Sequence, residues 1–412
     1  MAVGLLVASA GPAAAQSRPT GHVSLFLDYL PNRQDTVEWR SRLFVEEEIE
    51  PSSSLRITLS GFAEGLLSRR PVPDASGREL GTTRVTDGLF RVQDANVELT
   101  IGKLDVLAGF ARVVWGKLDE LQPSDVINPL DVSKFFFEGR NEARLPVALV
   151  RARVFIRDDV TFEGIYVPAF RRGRFDQLDE PSSPFNLAAG VAVIRDEPAF
   201  TFENAQGGIR ISSTAARVDW SVSAYRGFEP FGFFTAVPVA PGIQETHPRF
   251  TMIAGDFEAV RGEWGIRGEA AAFVDDNFQS ADGRVVEGQS VEAGAGIDRR
   301  AGRYTLSFTV LYHHESYDEI LIGADGPERS RNDVSLITSA DRTFAREKYR
   351  TRIFAVYNPS ETSAFVRGIL TASLRDNLSL EGSLGWFISS GRDLVGRFSD
   401  DDFAYVRLKY YF

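Results

Sequence analysis

The chain has 412 residues, 43% hydrophobic and 25% charged, with a formal net charge of −11 and no cysteine. The acidic balance argues against a nucleic-acid partner, whose phosphates it would repel, and the lack of cysteine excludes disulfides, thiolate metal sites and cysteine nucleophiles. No window forms an apolar run of about 20 residues, which excludes an α-helical membrane bundle but not a barrel, whose strands alternate lipid-facing and lumen-facing residues.

Gly4-Leu5-Leu6-Val7-Ala8 leads through Ala10-Gly11-Pro12 to Ala13-Ala14-Ala15, a short apolar core before a small-residue cleavage site. It reads as an export signal over residues 1–15, with Gln16 opening a single mature domain, 16–412; no Lys or Arg precedes the apolar run.

Beyond Gln16 the sequence breaks into segments of about ten residues with period-two alternation, weak singly and strong in repetition. Leu55, Ile57, Leu59, Gly61 and Ala63 alternate with Arg56, Thr58, Ser60 and Glu64, with Phe62 the exception. Val218, Trp220, Val222 and Ala224 alternate with Asp219, Ser221 and Ser223, and Leu380, Gly382 and Leu384 with Glu381 and Ser383. Short turns are expected at 51–54, 101–103, 157–159, 213–215, 261–262, 299–302, 345–349 and 375–377. Long connections are expected at 68–87, 117–146, 171–199, 227–246, 275–286 and 315–332. That asymmetry fits an all-β transmembrane antiparallel barrel with short periplasmic turns and long extracellular loops. A strand on each side of every short turn, with allowance for one further turn, gives about 18 strands, with 16 the alternative count.

An even barrel of this size leaves an aqueous lumen unless something fills it. Its inward charges are expected to include Arg40, Arg42, Arg56, Arg151, Arg153, Glu163, Arg267, Glu269, Arg367 and Arg407. The Arg151–Arg153 pair, beside Arg40, Arg42 and Arg56 if the wall brings them near, is the best anion-attracting candidate; the bland alternative is that such charges only solvate the wall.

The segment 114–146 is unusually apolar for an outer loop. Leu118, Leu121, Val126, Ile127, Leu130 and Val132, then Phe135, Phe136 and Phe137, would be costly in water, so it is expected to fold inward as a constriction built around Trp115, Asp125, Asn128 and Asp131. Packing of the phenylalanines against the rim or lipopolysaccharide is the alternative.

Trp115-Gly116, the D-x-I-N-P-x-D run of Asp125 to Asp131, Leu145-Pro146 and Tyr166-Val167-Pro168 resemble a family of large, porin-like proteobacterial outer-membrane proteins of mostly unknown function. The similarity covers roughly residues 104–170 and the final hairpins. It implies an outer-membrane barrel, some members being suspected of moving hydrophobic compounds; no substrate carries over. The last strand, with Leu408, Tyr410 and Phe412 on one face, resembles the terminal assembly signal that the barrel-assembly machinery reads.

Only four histidines occur, and His313 and His314, as adjacent strand residues, point to opposite faces and make poor co-ligands. Neither an enzyme nor a metal or cofactor is expected. The acidic stretches 275–276, 318–319 and 400–402 read as solvated loops. The sequence thus predicts an outer-membrane channel for passive, selective diffusion of a small-molecule solute. A conduit for hydrophobic compounds and a sealed receptor or structural barrel are the alternatives. The expected surroundings are the lipid bilayer, lipopolysaccharide and the assembly machinery, and a periplasmic carrier stays open as a partner.

Overall fold

The computed structural model describes residues 18–31, 36–73, 79–132, 137–174, 193–214, 217–236, 243–323, 326–389, 393, 395–399 and 401–412. The expected export signal, Phe135 and Phe136 lie outside them.

Alternating side chains produce extended strands in chain order: β1 Thr20–Leu30, β2 Thr36–Ser52, β3 Leu55–Pro73, β4 Glu79–Ile101, β5 Leu104–Ala111, β6 Val147–Arg157, β7 Val160–Val167, β8 Val193–Asp196, β9 Gln206–Ser213, β10 Val218–Phe228 and β11 Phe233–Ala236. There follow β12 Ile243–Thr246, β13 Arg249–Arg261, β14 Trp264–Gln279, β15 Val285–Ala301, β16 Tyr304–Gly323, β17 Gly326–Phe344, β18 Tyr349–Asn358, β19 Ser363–Arg375, β20 Leu378–Ser389 and β21 Phe403–Tyr411. Among the described residues, eighteen of these form one sheet in which each strand pairs antiparallel with the next; β8, β11 and β12 form a small separate sheet. The ring closes where β21 pairs with β1, His22 opposite Tyr411. Closure leaves no sheet edge along that seam, and the Gly21 and Phe412 backbones exchange hydrogen bonds of 3.2 and 3.1 Å across it.

One face of the wall is apolar and exposed. On β1, Val23, Leu25, Leu27 and Tyr29 face outward while Ser24, Phe26, Asp28 and Leu30 are buried inside. Trp39, Leu59, Trp220, Ile253, Phe308 and Trp386 continue the outer band around the barrel. Such a surface is costly in water and favourable against lipid tails, so this is a membrane-spanning barrel. Phe62, which breaks the alternation of β3, points inward, and the Arg42 and Arg91 guanidinium groups lie over its ring at 4.8 and 5.6 Å.

The short turns fall where alternation stops, at one end of the barrel. Three expected long connections are corrected. Residues 68–87 continue the β3–β4 ladder as far as Pro73 opposite Glu79. The region 275–286 extends β14 and β15, and 315–332 extends β16 and β17 to Gly323 opposite Gly326. Polar strands rising beyond the lipid band lose their hydrophobic alternation but keep their hydrogen bonds, which is why composition alone suggested loops.

Candidate functional site: the lumen and its inward-folded segment

At Ala111 the chain leaves the wall, and the described residues 112–132 and 137–146 run through the lumen. Trp115, Leu118, Ile127, Phe137 and Leu145 are each at most 5% exposed inside the barrel. On the near side the segment packs against β5, β6, β7, β10 and β13 through Val113, Trp115, Ile127, Val147, Ile165, Tyr225, Phe250 and Met252. The Trp115 ring meets Tyr225 edge-on at 6.2 Å, and its Nε1 donates to Glu163 at 2.7 Å.

Glu269 of β14 is the hub that turns the segment. Its carboxylate accepts from the backbone of Lys117 (2.9 Å), Leu118 (3.1 Å) and Ser124 (2.8 Å) and from the Ser124 hydroxyl (2.8 Å). This explains Trp115-Gly116: a Cβ at residue 116, whose φ is +96°, would sit 2.5 Å from Glu269 Oε1.

Each polar residue of the D-x-I-N-P-x-D run ties two parts of the segment or joins it to the wall. Asp125 receives Arg140 at 3.1 Å and Arg144 at 2.6 Å. Asn128 accepts from Val113 N at 2.7 Å and donates to Ala111 O and Leu145 O at 3.2 and 2.8 Å, stapling the segment's entry to its exit. Asp131 holds Arg91 of β4 at 3.0 Å.

The far side is charged. Glu138 receives Arg40 at 3.3 Å and Arg42 at 2.5 Å. Arg40 is also bound to Asp28 at 2.7 Å, and Arg42 to Glu64. Arg367 Nη2 donates at 2.6 Å to the Phe137 carbonyl, and the Phe137 ring lies 4.8 Å from Phe403. Arg407 pairs with Glu381 at 2.7 Å. These cations sit in a low-dielectric interior, where each requires an anion or carbonyl.

The five arginines proposed as one anion-attracting cluster fall into two groups. Arg40 and Arg42 lie with Glu138, whereas Arg151, Arg153 and Arg56 surround Glu98 at 3.2, 3.0 and 3.8 Å nearer the short turns. Pairing cancels both groups, the physical reason no single cationic patch forms. Arg267 spans Glu258, Asp119 and Asp298. His313 faces the lumen between Glu292 and Glu315 at 3.2 and 2.9 Å, while His314 bonds Asn332. Tyr410 and Phe412 are about half exposed on the lipid side, and Leu408 lies opposite Leu25 and Leu380.

Two of the cavities around the segment meet at one residue. One of about 750 Å³ opens toward the short turns, between Asp119, Glu120, Arg140 and the wall residues Glu258, Arg267, Asp298, Asp341 and Arg352. The other, about 330 Å³, lies between Gln122, Val126, Arg140, Glu229, Phe273 and Glu292. Arg140 borders both. Burial pushes the Glu120 carboxyl up, with Arg352, 2.6 Å away, opposing. Burial, with Asp276 nearby, pushes Glu229 up to about 8.

The chain matches no protein-family model and no curated protein. Among solved structures it is similar over its whole length to Acinetobacter baumannii OccAB2 (TM-score 0.55, 8% identity, 98% of this chain and 99% of that one). A BenF-like porin from Pseudomonas fluorescens Pf-5 is similar at TM-score 0.51 and 10% identity, covering 97% and 98%. Pseudomonas aeruginosa OccK7 (OpdD) gives 0.52 and 10%, covering 97% and 99%.

The chain has a porin fold.

Within this porin fold, Asp119, Glu120, Glu138, Arg140 and Arg144 were not singled out in the sequence. A signal was present in the alternating charges of Glu138-Gly139-Arg140-Asn141-Glu142-Ala143-Arg144, which an apolar reading of the segment passes over.

Proposed function

We propose that this barrel is a channel for passive, selective diffusion of small solutes across the bacterial outer membrane. The observation that supports it is the pair of charged cavities meeting at Arg140, one toward each side of the inward segment. The larger is lined by seven carboxylates (Asp119, Glu120, Glu138, Glu258, Glu263, Asp298, Asp341) against four guanidinium groups (Arg140, Arg267, Arg300, Arg352). Opposed charges across a narrow passage order water and penalise apolar solutes, and the acidic excess favours cations. Assembly by the barrel-assembly machinery and contact with lipopolysaccharide belong to the same proposal.

Single-channel recording of the refolded protein in a planar bilayer is the test. Ohmic steps with cation preference are expected. A silent bilayer containing correctly folded protein would remove the channel reading.

A further inference from the structure

The inward path of residues 112–146 has a consequence for the wall itself. β5 is eight residues long, as are β7 and β9, shorter than the roughly 9–11 that a tilted strand needs to cross the hydrocarbon layer; what sets β5 apart is the neighbour it leaves unpaired. Its pairing with β4 ends at Ala95 opposite Phe110, while β4 continues outward to Glu79, paired there with β3 alone. Gly109, at φ +136°, lets β5 press against β4 just before it departs: a Cβ there would lie 2.2 Å from Ala95 O. The register of β4 against β3 slips at the same level, between Ser60–Asp94 and Gly61–Val92.

Above this point the β5-facing backbone of β4 has no strand partner among the described residues. Unpaired N–H and C=O groups are not tolerated against lipid tails, so such an edge marks an opening that water or a ligand fills. A cavity of about 600 Å³ occupies it, within the roughly 300–1,000 Å³ of small-molecule sites. Residues of both faces of the wall line it. Phe90, Val92 and Phe110 face lipid and are 76%, 38% and 45% exposed, whereas Arg91 and Leu145 are buried on the lumen side.

The lumen end of this cavity is cationic, with Arg91, Arg171, Arg172 and Arg174. Arg91 is bound to Asp131 and Arg172 lies 3.5 Å from Glu197. Arg171, by contrast, donates to the Pro146 carbonyl and has no carboxylate partner among the described residues. Burial, with Arg91 close by, pulls it down to about 10 against the weaker opposing field of Asp131, as a cation short of counter-charge requires.

We propose that this gap is a lateral portal and binding site for an amphipathic organic anion, a carboxylate head on an apolar chain. The head meets Arg171 beside Arg91, and the chain lies along Phe90, Val92, Phe110 and Ala148 toward the outer leaflet. The portal goes beyond the diffusion channel and stands whether or not the lumen conducts ions.

The probe is dansyl-labelled undecanoate, titrated by fluorescence against the refolded barrel in nanodiscs of neutral phospholipid, with the dansyl-undecanamide analogue as control. Saturable binding of the carboxylate is expected, at least about tenfold tighter than the amide, because the amide lacks a charge-assisted bond to a buried guanidinium. Arg171→Glu should weaken the carboxylate by about tenfold or more and leave heat-modifiable mobility and conductance unchanged. An undecanoate with a terminal diazirine should label the peptide containing Phe90 or that containing Phe110. Equal binding of acid and amide, no change in Arg171→Glu, labelling confined to the cavity near the short turns, or binding of lipopolysaccharide with no saturation by the carboxylate would each overturn the portal.

Discussion

The two sides of the inward segment are held by different physics. On the near side Trp115, Ile127 and Val113 are buried in an apolar cluster, so attachment is by hydrophobic contact and shape. On the far side Glu138 sits among Arg40, Arg42 and, through the Phe137 carbonyl, Arg367, so attachment is by charge. Apolar anchoring is indifferent to salt and pH and fixes position. Charge anchoring brings polar groups to the passage and can be tuned by one substitution.

Four substitutions test whether the two anchors differ in this way. Replacing Trp115 by Ala removes the largest fully buried side chain and its bond to Glu163, and is expected to cost about 3–5 kcal/mol. A large fall in the urea midpoint in micelles, with noisier and larger conductance steps, is the expected result; an unchanged midpoint would show that the near-side cluster does not anchor the segment. Glu138→Gln takes one of two carboxylates from each of two buried guanidinium groups, leaving Asp28 on Arg40 and Glu64 on Arg42, and is expected to cost about 2 kcal/mol, while moving ion preference toward anions. Reversal potentials in a salt gradient read that shift, and an unmoved potential would place Glu138 outside the ion path.

Arg140→Ala removes the side chain bordering both cavities but leaves Arg144 on Asp125. Conductance is expected to rise by less than about twofold with stability changed by about 1 kcal/mol or less, and a fall in conductance would contradict the shared passage.

The smallest effect is a pH dependence. Glu229 titrates near 8 in the folded protein, above its ordinary value of 4.5. The folded state therefore holds this proton more tightly than the unfolded state, and its contribution to stability is fully present below about 4.5 and lost as pH rises through about 8. Cation preference should strengthen over the same rise as the carboxylate ionises. Glu229→Gln should flatten both curves between those limits; curves that keep the wild-type slope would assign the titration to another group.

Much of the wall was legible in the sequence because the pleat has period two and the bilayer imposes it on every strand. Alternation placed Arg40, Arg42, Arg151, Arg153, Arg267 and Arg367 on one face, and in the structure they line the lumen side. Alternation fails where a strand leaves the lipid band, so 68–87 and 315–332 read as loops although their ladders continue. For the segment 114–146, apolar composition pointed inward, and Trp115, Asp125, Asn128, Asp131 and Phe137 are all buried there. Nothing in the local sequence showed that Glu269, more than a hundred residues downstream, would receive Lys117, Leu118 and Ser124.

Local patterns along the chain were enough to specify the antiparallel barrel, the end at which its turns are short, and which residue of each neighbouring pair faces lipid. These follow from short-range rules of sterics, hydrogen bonding and transfer to hydrocarbon. Which charges neutralise one another, the place of Arg140 between two cavities, and the gap that β5 leaves beside β4 emerge in three dimensions alone. Those outcomes depend on where a 35-residue excursion (112–146) meets a wall formed by the rest of the chain, and Coulomb pairing acts on distance in space, not separation in sequence.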